Sequence, residues 1–445
     1  MFNDKPTIGL IHNYDLIDEV VAGMNITFRD YCENFVGSFM FNYIKALQTA
    51  GVRPVLFCIT TQVDKATRFE HLPTGATICA LPPRRIYRGY SVFKTNSLKA
   101  YGAKTGQAFK DINDRRQWRR SSLTVVKDLI KSAGTYLATP TDLLARELQR
   151  ENCLALLCQE YEYARFDDCV AMGKKINLPI YASFQGLNKT QSILEQAFRR
   201  RSLTNCAGLI IASSREIARV KKQYAFPATK IHQIFNPLSL PESEHSERSL
   251  AATRADFGIS PSARVVVWHG RVEIAQKGLD ILLLAWQQLC QTRPNQELYL
   301  LLIGTGTDAP KLQRQIDALN LTNIVWINKF ISDRPLLSRY LSTADLYTLP
   351  SRWEGFPLAP VEAMALELPV VLADVAGIKD ILPREMADGG IIVPTQDAEA
   401  LSMAIAKLLD DSDLRQKLGK RAKQRAQSFS LQAIGLQMRE VLLGR

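Results

Sequence analysis

Short apolar runs alternate with longer amphipathic stretches along nearly the whole chain. The runs are rich in branched aliphatic residues, which is typical of buried strands, whereas the stretches between them repeat apolar residues at helical spacing. Strands are predicted over residues 7–12, 54–60, 76–82, 154–159, 180–184, 208–213, 230–235, 264–269, 298–304, 323–328, 345–350, 369–374 and 390–394. Alternation of this kind predicts parallel sheets that are covered by helices on both faces.

A polar segment over residues 237–260 has no strand pattern and splits the series into two halves. A chain of 445 residues is also too long for one ordinary core. We therefore predict an α/β protein made of two doubly wound, Rossmann-like domains that face each other across a cleft. The predicted boundaries are 1–240, a linker at 241–261, 262–428, and a closing helix at 429–445 that could pack back on the first domain.

Composition excludes several classes of protein. The hydrophobic fraction is 46% and the charged fraction 22%, as in globular proteins. There is no apolar run of about 18 residues and no leader pattern at the start, so we expect a cytoplasmic protein. The eight cysteines form no Cys-x2-Cys pair and are expected to be reduced core thiols. The five histidines lack metal-ligand spacing, so no metal is expected.

The net charge of +12 is concentrated in residues 84–150, where fifteen Lys and Arg stand against five Asp and Glu. Such a stretch attracts an anionic partner. It holds an aromatic residue among arginines, namely Trp118 with Arg115, Arg116, Arg119 and Arg120. We expect either peripheral contact with the anionic inner face of a membrane or contact with an anionic acceptor, and a solvated loop explains the pattern equally well. Nucleic acid is not expected, because no nucleic-acid-binding module accompanies the charge.

In doubly wound sheets, ligands bind beyond the carboxyl ends of strands. One such end in the second half carries Gly270 and Arg271, with Lys277 six residues later at a helix start. Two cations flanking free helix amides suit a diphosphate, although solvated loop charges are the alternative. A second strand end carries Gly304 and Gly306, which either contact phosphate or form an ordinary turn.

The third strand end is the most specific. Glu354 lies in a loop and Glu362 in the helix that follows it, so both carboxylates are expected to face one cleft. The backbone between them offers unpaired amides at a helix start. Carboxylates beside such amides suit a sugar nucleotide, and acids that merely favour a helix dipole are the alternative. The segment between the glutamates begins with Gly355, Phe356, Pro357 and Leu358.

Taken together, HGR with KG, EGFPLAPVE and PVVLAD resemble the donor domain of retaining family-four glycosyltransferases with the GT-B fold, the glycosyl transferases group 1, over residues 264–395. The resemblance implies metal-independent transfer of a sugar from a UDP-, GDP- or ADP-sugar to a hydroxyl acceptor on a glycan, glycolipid or small glycoside. No tightly bound cofactor is implied. The implied donor roles are diphosphate neutralisation by Arg271 and Lys277, sugar binding by Glu354 and the Gly355–Leu358 backbone, ribose binding by Glu362, and proximity to the base for Asn328 and Lys329.

The N-terminal domain of such glycosyltransferases usually binds the acceptor, and here it resembles the family mainly in layout. Gly37 could let the backbone approach the reacting group, and Glu160 and Glu162 follow a strand. Gln185 stands where many relatives have a histidine, and it can hydrogen-bond a sugar but cannot carry a proton. Each of these residues also has an ordinary structural explanation.

Two other functions would use the same features. One is an epimerase or phosphorylase with the same fold, and the other is a nucleotide-sugar-binding protein without turnover. A phosphorylase would carry a lysine-bound pyridoxal cofactor, whose absorbance distinguishes it from a glycosyltransferase.

Overall fold

The structure, a computed structural model, describes residues 5–23, 26–36, 39–87, 134–184, 186, 191, 193–241 and 246–444. All thirteen predicted strands occur in this part of the chain, and most of their ends lie within two residues of the prediction. The strand predicted over 230–235 is shorter, at Ile231–His232, because the chain leaves the sheet there. Leu238, a few residues on, donates its backbone N–H to Phe429 O at 2.8 Å.

The first domain contains an eight-stranded sheet in the order β3-β4-β2-β1-β5-β6-β7-β8. Neighbouring strands are parallel except β3 and β4, so the expectation of a wholly parallel sheet is wrong at this edge. The polar β3 carries little strand signal, and a four-residue turn suffices to pair it antiparallel with β4. The strands are β1 (Thr7–Ile11), β2 (Arg53–Ile59), β3 (Thr67–His71), β4 (Ala76–Leu81), β5 (Cys153–Cys158), β6 (Ile180–Phe184), β7 (Gly208–Ile211) and β8 (Ile231–His232).

Residues alternate between the two faces of this sheet, as period-2 geometry requires. Ile8 and Leu10 of β1 belong to one apolar cluster, and Ile11 belongs to the other. Helices bury both clusters. The helices of this domain are α1 (Asp18–Gly23), α2 (Phe28–Glu33), α3 (Phe39–Thr49), α4 (Thr141–Arg150), α5 (Ala164–Ile176), α6 (Ile193–Asn205) and α7 (Ser214–Tyr224).

The second domain has a six-stranded sheet, wholly parallel, in the order β11-β10-β9-β12-β13-β14. Its inner strands are almost entirely buried, as expected of a sheet with helices on both faces, whereas the edge strands are partly exposed. The strands are β9 (Arg264–His269), β10 (Leu298–Ile303), β11 (Ile324–Ile327), β12 (Leu346–Leu349), β13 (Val370–Ala373) and β14 (Gly390–Val393).

The remaining helices run from the predicted linker to the end of the chain. They are α8 (Glu247–Asp256), α9 (Ile274–Lys277), α10 (Leu279–Thr292), α11 (Ala309–Ala318), α12 (Arg334–Leu341), α13 (Ala359–Ala365), α14 (Ile378–Ile381), α15 (Ala398–Asp410), α16 (Ser412–Ala426) and α17 (Leu431–Leu443). Helix α8 falls inside the segment predicted as a linker. There Arg254 donates to Thr343 O at 2.9 Å and Phe257 packs on Tyr340 of α12, so the segment is attached to the second domain.

Helix α17 returns to the first domain and packs against α3. A Cβ added at Gly435 would lie 1.9 Å from Ala46 O, so glycine allows the two helices this close approach. Arg439 donates to Ala50 O at 2.8 Å near the end of the contact. The chain therefore crosses between the domains twice, once before α8 and once before α17.

The basic stretch lies mostly outside the described residues, and with it Trp118 and the four arginines around it. Its two flanks are described and meet each other, since Arg84 donates to Thr139 O at 2.7 Å. In the described part of the chain, no helix is both long and apolar enough to cross a membrane. All eight cysteines are free thiols.

The α3–α17 contact predicts a stability effect. Gly435→Val should lower the free energy of unfolding by about 2 kcal/mol or more, because the side chain cannot fit beside Ala46 O without moving a helix. Chemical denaturation measures this change. Gln437→Val, on the exposed side of the same helix, supplies the control for β-branching and should cost only a few tenths of that amount. Equal losses in both variants would contradict the packing account.

Candidate active site

The turns that follow β9 and β10 pack backbone to backbone, next to the point between β9 and β12 where the strand order reverses. A Cβ at Gly304, which has φ +134°, would lie 1.9 Å from Gly270 O, and one at Gly306 would lie 2.3 Å from Val272 O. The close packing of the two turns therefore explains why glycine is needed at both positions. A phosphate contact by either of them stays a prediction.

The structure brings Lys277 and Glu354 into direct contact. Lys277 ends the short helix α9, and its Nζ lies 2.7 Å from Glu354 Oε1. Ser351 Oγ donates to the same oxygen at 2.7 Å. Both side chains of the ion pair are largely buried. A Cβ at Gly278 would lie 2.0 Å from Pro350 O, so this glycine allows α9 to approach the loop that carries Glu354.

Arg271 lies apart from this pair. Its side chain is 68% exposed and forms an ion pair with Glu273 at 3.0 Å. The guanidinium is therefore held from one side and is accessible from the other. Of the two cations predicted to flank a diphosphate, the structure packs Lys277 against the predicted sugar-binding carboxylate and leaves Arg271 at the surface.

Glu362 of α13 is clamped by two basic side chains. His269, at the end of β9, lies with its Nε2 2.7 Å from Glu362 Oε2, and Arg334 donates to the other carboxylate oxygen. Burial works to raise the pKa of Glu362, but the bonds to His269 and Arg334 outweigh it and lower the pKa to about 2. An ionised carboxylate only accepts hydrogen bonds, so the His269 Nε2 carries the proton.

Sequence reasoning missed His269 and Arg334 as partners of Glu362. A signal existed for His269, because it stands at a strand end immediately before Gly270. Arg334 had none, since it opens α12 beyond the edge strand and reaches Glu362 only through the tertiary fold. Asn328 and Lys329 lie exposed after β11, together with Phe330, whose side chain is 72% exposed.

The loop after Glu354 touches the first domain. A Cβ at Gly186, just after β6, would lie 2.5 Å from Gly355 Cα, and the ring of Phe356 stacks on Phe235 with centroids 5.3 Å apart. Pro357 is buried and Leu358 caps α13 without a side-chain bond. The carboxyl ends of the two sheets therefore face each other across this loop.

A second contact between the domains lies nearby. Asp380 of α14 accepts hydrogen bonds from the Ser214 backbone N at 3.0 Å and from Gln233 Nε2 at 2.9 Å. The Ser214 Oγ donates to the same carboxylate at 3.2 Å. The acid thus caps the first turn of α7 from the opposite domain, which favours the facing arrangement.

Two of the four acceptor candidates can be placed. Glu160 and Glu162 follow β5 and are both buried. Glu162 accepts from Arg219 at 2.5 Å, within a network that also includes Tyr161 and Glu216. Gly37 and Gln185 lie outside the described residues. Among the residues that the structure describes, no group of three or more His, Cys, Asp or Glu could hold a metal ion.

Comparison with known proteins identifies the second domain. Residues 251–425 match the family described as glycosyl transferases group 1, which confirms the resemblance drawn from the sequence. Alpha-D-kanosaminyltransferase of Streptomyces kanamyceticus is 27% identical over 54% of this chain and 61% of its own length. D-inositol 3-phosphate glycosyltransferase of Corynebacterium kroppenstedtii is 33% identical over 42% of each chain. The chain spans about half the length of the curated relatives that it matches.

Solved structures confirm the fold over the whole chain. A glycosyltransferase from Rickettsia africae aligns with a TM-score of 0.66 and 14% identity, covering 99% of this chain and 98% of its own. Anabaena HepE in complex with UDP aligns with a TM-score of 0.66 and 15% identity, covering 99% and 100%. The fold is therefore GT-B, with two Rossmann-like domains across a cleft, as the sequence predicted.

The clamped carboxylate predicts a pH effect. The pKa of Glu362 lies below its ordinary value of 4.5, so its contribution to stability is present above that value and is lost as the pH falls toward 2. We expect the difference in unfolding free energy between the natural chain and Glu362→Gln to shrink by on the order of 2 kcal/mol between about pH 5 and about pH 3. Urea titrations at several pH values measure it. Glu440→Gln, on the exposed face of α17, is the control, and a difference that stays constant with pH would contradict the clamp.

Proposed function

We propose that this chain, whose C-terminal domain belongs to the glycosyl transferases group 1 family, moves a sugar from a nucleotide-sugar donor to a hydroxyl acceptor with retention and without a metal ion. The observation that carries the proposal is the pair of carboxylates at the switch point of the second sheet. Glu354 is held by Lys277 and Ser351, and Glu362 is held by His269 and Arg334. Both lie in the region that matches the family.

Glu362 would bind the ribose of the donor. Its carboxylate is ionised and each oxygen can accept more than one hydrogen bond, so it can take the two neighbouring ribose hydroxyls. His269 is buried and would keep the carboxylate in place. Arg334 has a half-exposed side chain and could move aside or turn to the donor when the nucleotide enters.

Lys277 would connect the diphosphate to the sugar end of the site. In the absence of a nucleotide sugar, its ammonium group is bonded to Glu354. The other N–H groups of the ammonium can reach a phosphate oxygen. The accessible guanidinium of Arg271 would close over the same group. Two cations at the diphosphate would take over the charge neutralisation that a divalent metal supplies elsewhere.

Transfer with retention needs little from a protein base. As the bond to the diphosphate breaks, its departing oxygen can accept the proton of the attacking hydroxyl on the same face of the sugar. Glu354 would stabilise the positive charge that develops on the sugar ring, and Lys277 the negative charge on the leaving group. The two charges of the buried ion pair would thus act on opposite sides of the breaking bond, Glu354 on the sugar and Lys277 on the diphosphate.

The basic stretch adds a further part to the proposal. We propose that residues 84–150 make a reversible contact either with an anionic membrane surface or with an anionic part of the acceptor. Salt dependence of vesicle co-sedimentation separates the two readings, since electrostatic membrane contact weakens as salt rises.

A donor panel tests the proposed activity. The full chain is incubated with UDP-, GDP- or ADP-glucose, and nucleotide release and sugar products are followed by mass spectrometry with and without EDTA. We expect one nucleotide sugar to raise the thermal midpoint and to be turned over at a rate that EDTA leaves within about twofold. Binding without any turnover would favour a sensor, and a strict need for a divalent ion would contradict the metal-independent mechanism.

Variants of the ion pair test the assigned roles. Lys277→Ala should lower kcat/KM by about tenfold or more, because a charge-assisted bond to phosphate contributes about 1.5–3 kcal/mol. Glu354→Gln should mainly lower kcat, since it removes charge next to the reacting carbon. Lys311→Ala, an exposed lysine on α11, is the matched control and should have no effect. Values of kcat and kcat/KM equal to those of the natural chain in both Lys277→Ala and Glu354→Gln would show that the ion pair takes no part in the mechanism.

A further inference from the structure

A second ion pair ties the loop before Glu354 to α10, next to the pair of Lys277 with Glu354. Arg352 donates to both carboxylate oxygens of Asp280, at 2.8 Å and 2.7 Å. Two parallel bonds of this kind fix the orientation of the partners as well as their distance. We call this pair the outer pair and Lys277 with Glu354 the inner pair, because the inner pair is the more buried of the two.

Both members of the outer pair are charged at neutral pH. Burial works to raise the pKa of Asp280, but the bonds to Arg352 outweigh it and hold that pKa below its ordinary value. The carboxylate also raises the pKa of the Arg352 guanidinium. The outer pair is therefore a full ion pair under the conditions in which the chain would work.

Arg352 is bonded to further elements of the second domain. Its backbone N–H donates to Gln276 O at 2.8 Å, and its guanidinium donates to Ala275 O at 3.2 Å, both in α9. The Nε–H donates to the Gln396 side chain, beyond the end of β14, at 3.4 Å. Arg352 thus fastens the loop to α9, to α10 and to the segment after β14.

The order of charges favours one register between the loop and the helices. The helical segment carries Lys277 and then Asp280, and the loop carries Arg352 and then Glu354. The first residue of each segment pairs with the second residue of the other. With the partners exchanged, cation would face cation and carboxylate would face carboxylate, which is unfavourable. The outer pair therefore helps to specify the register in which the inner pair forms.

The inner pair would be disturbed by the donor, whereas the outer pair would not. In the proposed function Lys277 contacts the diphosphate as well as Glu354, so a bound donor competes for its N–H groups. Both carboxylate oxygens of Asp280 are already bonded to Arg352, and this pair has no assigned contact with the donor. The outer pair can therefore keep the loop in place while Lys277 shifts toward the phosphate.

We propose that Arg352, acting through Asp280, is a positioning residue that holds residues 351–354 against α9 and keeps Glu354 beside the reacting carbon when Lys277 binds the diphosphate. The inference rests on the proposed function. Misplacing a group at the reacting centre by about 1 Å can slow the reaction by up to about a hundredfold. Ribose binding by Glu362 depends on other partners, so loss of Arg352 should lower kcat and leave the donor KM nearly unchanged.

Arg352→Gln tests the position of the loop, with Arg293→Gln as the matched control. Arg293 follows the other end of α10 and bonds to both carboxylate oxygens of Asp410, at 3.3 Å and 2.6 Å. Nucleotide release is measured with whichever of UDP-, GDP- or ADP-glucose the natural chain turns over. We expect kcat to fall about tenfold in Arg352→Gln, with the donor KM within about threefold. Arg293→Gln should leave both constants within about twofold.

Thermal unfolding separates positioning from stability. Both variants lose a partly exposed ion pair of the same kind, so both should lower the thermal midpoint by a similar amount, at most about 3 °C. A kcat of Arg352→Gln within about twofold of the natural value would contradict the proposal. So would an equal loss of kcat in Arg293→Gln, or a rise in donor KM at unchanged kcat.

Asp280→Asn tests the pair from its other side and leaves Arg352 bonded to α9. If the two side chains act as one unit, kcat in Asp280→Asn and in the double variant with Arg352→Gln should lie within about twofold of kcat in Arg352→Gln. Multiplied losses in the double variant would show that the residues act separately. Turnover by the natural chain with unchanged kcat in the variants would overturn this inference alone. A natural chain that turns over none of the three nucleotide sugars would overturn the proposed function and this inference with it.

Discussion

Two sheets can share a site only if their carboxyl ends are held face to face. In this protein, one aromatic cluster at the junction of the two domains holds them in that arrangement. Phe235 lies where the chain leaves the first domain, Phe429 where it returns, and Phe356 in the loop after Glu354. Their rings lie 4.9–6.0 Å apart. Arg425 lies over two of them, 5.7 Å from the Phe235 ring and 5.0 Å from the Phe429 ring. Both chain crossings and the donor-side loop are thereby tied to one point.

Buried polar groups lie on both sides of the cleft. On the side of the second domain, Glu354 and Glu362 each have basic partners without any ligand, so the charges are arranged before a donor arrives. Such preorganisation lowers the cost of reorienting dipoles during reaction. On the side of the first domain, the Asn13 amide has no partner. A buried polar atom without a partner also occurs in the second domain, at His269 Nδ1.

Glycines with close backbone neighbours allow this arrangement. Gly278, Gly304 and Gly306 each stand where a side chain would collide with a carbonyl oxygen of another turn. The turns after β9, β10 and β12 could not otherwise converge on one edge. What looked in the sequence like fragments of phosphate-binding loops is, at the least, a set of close-packing positions.

The sequence alone determined the alternation of strands and helices, the division into two domains and the resemblance of the second domain to a known family, because periodicity and strand-end motifs are local. It also singled out Glu354, Glu362 and Lys277, since these stand at fixed spacing from strand ends. Only the tertiary structure decided their partners. His269 and Arg334 reach Glu362 from two different elements. The hydrogen bond between His12 and Gln159 likewise depends on β1 lying beside β5, since the two residues are 147 positions apart in the sequence. Contacts of that kind follow from strand order and register, which no local pattern encodes.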